Sequence, residues 1–123
     1  METNELTREI IGAAMKVHSA LGPGLVESVY RKCLCYELVK RGRHVVLEKP
    51  VRIWYDGIDM GSGLRIDLLV EESVIVEVKS VERMTPVYQS QILSHMKLSA
   101  IKIGLLINFN VRHLRQGIQR YVR

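Results

Sequence analysis

The chain has 123 residues, which fits one domain spanning 1–123 and able to bury about two-thirds of its unfolded surface without staples. With 47% hydrophobic and 25% charged residues it has the make-up of a soluble globular protein and not of a disordered chain. The net charge of +5 conceals an asymmetry: all 13 acids lie between Glu2 and Glu82, and only cations follow, among them Arg112, Arg115 and Arg120. Such a basic segment suits a polyanion, held through counterion release whatever its base sequence. No apolar run approaches the ~20 residues that span a bilayer, and Glu2, Glu5 and Glu9 are not the basic start of a secretory signal, so a cytoplasmic location with no membrane partner is expected. Cys33 and Cys35 sit two apart on an expected helix and so face different sides, which suggests neither a disulfide nor a zinc site.

In chain order, Leu6, Ile10, Ala13 or Ala14, Val17 and Leu21 recur at helical spacing until Gly22-Pro23-Gly24 breaks the pattern. A second stripe, Val26, Val29, Tyr30, Cys33, Leu34 and Leu38, predicts a helix from about Leu25 that ends at Gly42 and carries Glu27 in its first turn. Val45 to Leu47 and Val51 to Tyr55 read as strands on either side of Pro50, with Asp56-Gly57 as a turn. Two apolar strands follow, Arg65 to Val70 and Val74 to Lys79. Pro86 then opens a helix to about Leu98, Ile101 to Ile107 is a strand, and a short basic helix is expected to close the chain. Helix, helix, several strands, helix, strand, helix describes an α/β domain with a mixed central sheet flanked by helices.

The chemistry concentrates in the two apolar strands. Alternation puts Ile75, Glu77 and Lys79 on one face and Val74, Val76 and Val78 on the other, while Asp67 stands on the preceding strand. Burying charges is costly unless they pair or hold a metal. Hydrolysis of a phosphodiester needs a cation on the phosphate oxygens, an activated water and relief for charge on the leaving oxygen. Asp67 and Glu77 offer hard oxygen ligands for Mg²⁺ or Mn²⁺, the Val78 carbonyl a third, and Lys79 a group to position water. The bland alternative is a salt bridge, in which Lys79 pairs with a carboxylate and nothing turns over.

Several further motifs occur in order: Ile11-Gly12-Ala13-Ala14, Leu21-Gly22-Pro23-Gly24, Gly24-Leu25-Val26-Glu27-Ser28-Val29-Tyr30, and Gly104 through Asn110. With the acid and Glu-x-Lys they resemble the PD-(D/E)XK nuclease superfamily, and within it the small proteins named for a Gly-x-x-Glu-x-x-Tyr motif, over nearly the whole chain. The resemblance implies a restriction-endonuclease-like core and metal-dependent cleavage of nucleic acid. It implies Asp67 as a metal ligand, Glu77 and Lys79 as the Glu-x-Lys, and Glu27 as an acid on the first core helix that joins the metal site. It also implies Gln91 as a catalytic-site glutamine on the helix after the Glu-x-Lys strand. Tyr88 stands where relatives often carry His, and its phenol is suited to hydrogen-bond a phosphate.

From position alone Glu27 reads as a helix-start charge favoured by the macrodipole. Tyr30 shares its face within hydrogen-bonding reach, and is assigned with Tyr88, Arg112, Arg115 and Arg120 to the nucleic-acid-binding set. Gln91 and His95 are one turn apart on one helix. The expectation is a nuclease acting on DNA before RNA, for which one small domain makes a homodimer reasonable. The alternatives are a non-catalytic nucleic-acid-binding module and a structural or partner-binding protein of the same fold.

Overall fold

The computed structural model describes residues 3–123; Met1 and Glu2, and with them the first of the amino-terminal acids, lie outside the described residues. Two helices, α1 (Thr3–Leu21) and α2 (Glu27–Lys40), precede β1 (Val45–Val51), β2 (Trp54–Tyr55), β3 (Ile58–Asp59), β4 (Leu64–Val70) and β5 (Val74–Lys79). Helix α3 (Pro86–Ser99), β6 (Ile103–Asn108), a 3₁₀ turn (Leu114–Gly117) and β7 (Ile118–Val122) complete the chain. The main sheet has the order β1-β4-β5-β6-β7, antiparallel except for the β5–β6 pair, which α3 connects; β2 and β3 form a separate hairpin. This is a mixed α/β sheet flanked by helices, a restriction-endonuclease-like arrangement.

Strand alternation divides the core. Leu68, Val70, Val74, Val76, Val78, Leu105 and Ile107 turn to α1 and α2, meeting Leu6, Ile10, Ala13, Ala14, Val17, Tyr30, Leu34 and Leu38. Ile66, Leu69, Ile75 and Leu106 turn to α3, meeting Ile92 and Met96. The α3 layer lies close to the sheet because of Gly104: a Cβ there would come within 2.7 Å of Met96 Sδ and 3.0 Å of Ile92 Cδ1. The same helix carries Gln91 and His95, so this close approach sets how near they come to β5.

Two elements differ from the sequence reading. The basic tail is a 3₁₀ turn followed by β7, not a helix. All six residues of β6 are buried, and its outer backbone groups need partners that an edge strand supplies and a helix would not. β1 also runs through Pro50 instead of stopping there, because β1 is itself an edge strand and Pro50 can leave its missing N–H on the solvent side.

The strand register contains one irregularity, and it falls at the acid. Leu47 pairs with Leu68 and Lys49 with Ile66, but Glu48 and Asp67 between them are unpaired, and Glu48 lies at φ 54. On the other side the β4–β5 ladder stops at Leu68↔Val76. Leu68 and Ile66, two apart, consequently face opposite layers, so β4 changes face at Asp67. Below Asp67 the strand is ordinary sheet; above it β4 and β5 splay apart.

Candidate active site

The splay leaves backbone donors of β4 and β5 without ladder partners, and carboxylates take their place. Asp67 Oδ2 accepts the Val78 N–H at 2.8 Å, and Glu77 Oε2 accepts the Asp67 N–H at 3.4 Å. Each acid thus closes the gap toward the other strand. In an extended strand the N–H and C=O of one residue point to the same neighbour, so the Val78 carbonyl also faces this gap.

Helices close the site from both sides. From α2, Arg31 reaches Asp67 Oδ1 at 3.8 Å and Glu48 at 3.6 Å. From α3, His95 Nδ1 contacts Glu77 Oε1, and Gln91 Oε1 accepts from Lys79 Nζ at 3.3 Å. The Lys79 ammonium lies 4.8 Å above the centre of the Tyr88 ring, a cation–π distance. The loop after β5 is clamped by buried Asn108, whose side chain accepts from Val81 N at 3.1 Å and donates to Val81 O at 3.0 Å. Lys79 is therefore held at its ammonium by α3 and at its backbone by the adjoining loop.

The Asp67 carboxyl is pushed up to about 6, first by burial and then by the charge of Glu77; the Val78 N–H bond and Arg31 oppose the rise without cancelling it. Two carboxylates held together in a poorly solvated gap repel each other. That is a donor set for a small hard cation. Among the described residues no group of three or more acidic, His or Cys side chains gathers. Mg²⁺ does not demand one, because it keeps several waters and takes one or two carboxylates, so Asp67, Glu77 and the Val78 carbonyl fit it.

A family model for the PD-(D/E)XK nuclease superfamily matches residues 4–121. The chain belongs to the PD-(D/E)XK nuclease superfamily. Comparisons with curated proteins and with solved structures gave no significant match. The superfamily's order of acid, then Glu-x-Lys, is met here by Asp67 and Glu77, which the fold brings into one gap, and by Lys79, whose ammonium turns to Gln91 and the Tyr88 ring and makes no ion pair with either carboxylate among the described residues. No described helix is long and apolar enough to cross a membrane.

The remaining sequence candidates separate. Glu27 opens α2 one turn before Arg31 and on the same face, beside a loop held to β5 by the Ser80 Oγ bond to Leu25 O at 2.6 Å. It is half-buried, with no ion pair or hydrogen bond among the described residues. Tyr30 is a correction: it is fully buried, stacked on Phe109 at 4.5 Å, and its hydroxyl donates to Gly22 O at 2.6 Å and accepts from Leu25 N at 3.1 Å. It pins the loop that aims Glu27 and is out of reach of a nucleic acid; its phenol bonds that loop and not Glu27. Arg112 and Arg115 are exposed in the β6–β7 connection, at the sheet end where β5 delivers Lys79, since Asn108 pairs with Lys79. Arg120 lies apart, mid-strand on β7 with its guanidinium on Asn4 of α1.

Arg31 and Glu48 were not among the expected site residues. The four-residue spacing from Glu27 to Arg31 is a helical signal that points to Arg31. Glu48 carries no such signal, because its role follows from a backbone turn inside a strand.

Proposed function

We propose that this chain is a metal-dependent nuclease that hydrolyses phosphodiester bonds of DNA, with RNA the less favoured substrate, in the manner of the small Gly-x-x-Glu-x-x-Tyr proteins it resembles. The observation that carries the reading is the meeting of Asp67 and Glu77 in a buried gap, with the Asp67 carboxyl raised to about 6. Asp67, Glu77 and the Val78 carbonyl would hold one Mg²⁺ or Mn²⁺, and Glu27, one turn from the Arg31 that reaches Asp67, would hold one of its waters. A bound ion supplies Lewis acidity toward the phosphate and a more acidic water.

The protein's own part is positioning. The Val78 N–H orients Asp67, and His95 orients Glu77. Lys79, steadied by Gln91 and the Tyr88 ring, directs its ammonium to the attacking water or to the charge growing on the phosphate. Arg112 and Arg115, at the same sheet end, supply positive charge for flanking phosphates.

Cleavage of single- and double-stranded DNA and RNA should be assayed with Mg²⁺, Mn²⁺ or EDTA. Cutting with either metal and none in EDTA is expected. A second reading, a non-catalytic nucleic-acid-binding module, is favoured by the contact of His95 with Glu77 Oε1, which occupies one oxygen of the pair. Binding without cleavage under any metal selects that reading.

A further inference from the structure

The β2–β3 hairpin exposes apolar side chains that a folded domain ordinarily covers: Trp54 is 62% exposed and Tyr55 71%, with Ile58 and Met60 also more than half exposed. A two-stranded ribbon does not persist in water without support, yet this one is built. Asp56 and Gly57, at φ 55 and 74, form the turn that matches strand twist. Met60 N bonds Ile53 O at 2.8 Å and Ile53 N bonds Gly61 O at 2.9 Å, and Arg52 pairs with Asp59. The aromatic surface is thus preorganised, and its exposure has to be explained by something outside the hairpin.

Its place in the fold supplies the explanation. The hairpin leaves β1 at Val51 and rejoins the sheet at Leu64, three residues before Asp67, at the same end of the sheet as Lys79. A trough of about 540 Å³ runs along α3 from Val87 past Gln91 and His95 to Leu98. Leu98 also lines a second trough, of about 330 Å³, which Trp54, Lys49 and Arg52 line as well. The two troughs meet at Leu98, so one largely apolar face carries Gln91, the partner of Lys79, at one end and the exposed indole, with Lys49 and the Asp59-paired Arg52, at the other.

We propose that this face seats an unpaired nucleic-acid strand next to the scissile phosphate, with a base stacked on Trp54 and phosphates met by Lys49 and Arg52. The inference rests on the nuclease reading above and names its substrate class. Stacking requires the flat face of a base, which a single strand offers and a duplex keeps inside its own stack; a groove of aromatic and basic residues is the way strands are held without regard to sequence. A blunt duplex meets the hairpin only with its backbone and groove edges, and gains nothing from the indole.

Trp54 is the chain's single tryptophan, so its emission reports the contact directly. Wild-type protein in EDTA should be titrated with oligo(dT) and with a blunt duplex of the same length, following Trp54 emission and, in parallel, the anisotropy of a labelled oligonucleotide. Oligo(dT) is expected to quench Trp54 and the duplex to leave it nearly unchanged. Trp54→Ala should weaken oligo(dT) binding roughly tenfold or more with duplex affinity retained, and Trp54→Phe should restore most of it. Circular dichroism checks that both variants are folded. If oligo(dT) binds by anisotropy while Trp54 emission stays constant, or if Trp54→Ala weakens both ligands alike, the inference is overturned and the nuclease reading stands. If neither nucleic acid binds in EDTA or with Ca²⁺ added to supply the cation, the nuclease reading falls and takes this one with it. If Trp54 emission instead changes with protein concentration as the protein sediments as a dimer, a second copy covers the hairpin and the proposal is wrong.

Discussion

Asp67 stands at the point where β4 loses its partners on both sides, and its charge there is unfavourable. Its carboxyl binds a proton more tightly folded, at about 6, than the ordinary 3.8, so its contribution to stability is present below pH 4 and is lost as pH rises through 6. The loss is at most about 3 kcal/mol, less for residual solvation. Asp67→Asn keeps an acceptor for the Val78 N–H, and is expected to be more stable than wild type at pH 8 by part of that amount and to match it near pH 4, as read by denaturant midpoints. A salt bridge to Lys79 or Arg31 predicts the opposite sign, a loss of about 3–5 kcal/mol when one partner is removed. Mn²⁺ should raise the thermal midpoint of the wild type and not of Asp67→Asn. The meeting of Asp67 and Glu77 was legible in the sequence because acids inside apolar strands are costly and therefore conspicuous, whereas the turn of the Lys79 ammonium to Gln91 and Tyr88 was not, since strand alternation fixes a face and not where a long side chain ends. Tyr30 was misjudged because three-residue spacing fixes a helix face but does not say whether that face looks into the core. The structure turns it onto Phe109.

At the scale of the element, two backbone features hold the site open. Glu48 turns β1 at φ 54 where β4 changes face, and positive φ is unfavourable for a side chain branched at Cβ. Glu48→Gly is expected to stay within about 1 kcal/mol of wild type, while Glu48→Val loses about 1–3 kcal/mol in urea unfolding. Equal tolerance of both would remove the turn from the account. Gly104 lets α3 approach β6, so Gly104→Val should cost about 1–3 kcal/mol by overpacking and, by moving Gln91 and His95 outward, lower cleavage further than the stability loss explains. Measuring both quantities on one preparation separates the effects. The helices and central strands followed from periodicity and breakers. The last strand did not, since a basic tail with few apolar residues has no strand signature until a buried β6 needs its edge covered. Glu48 escaped for a related reason: a face change is a property of two paired strands.

Across the whole molecule, the fold redistributes the charge asymmetry of the sequence. Arg112 and Arg115 lie in the β6–β7 connection at the Lys79 end of the sheet, Lys49 on β1, Arg52 just after it and Arg65 on β4 lie toward that same end, and Arg120 is turned toward α1. If the first two meet phosphates, replacing both with alanine should lower the slope of log affinity against log salt by about two units, whereas Arg120→Ala should change it little. An equal change for Arg120→Ala would mean that the binding surface follows the sequence's basic third and not the sheet end. The central claim remains that this gap cuts phosphodiesters through its own lysine. It is tested most directly by the cleavage rate of one DNA substrate in Mn²⁺ by wild type and by folded Lys79→Ala, with Mn²⁺ affinity measured for both. The account predicts that Lys79→Ala binds the ion and does not cut; cutting at the wild-type rate would contradict it.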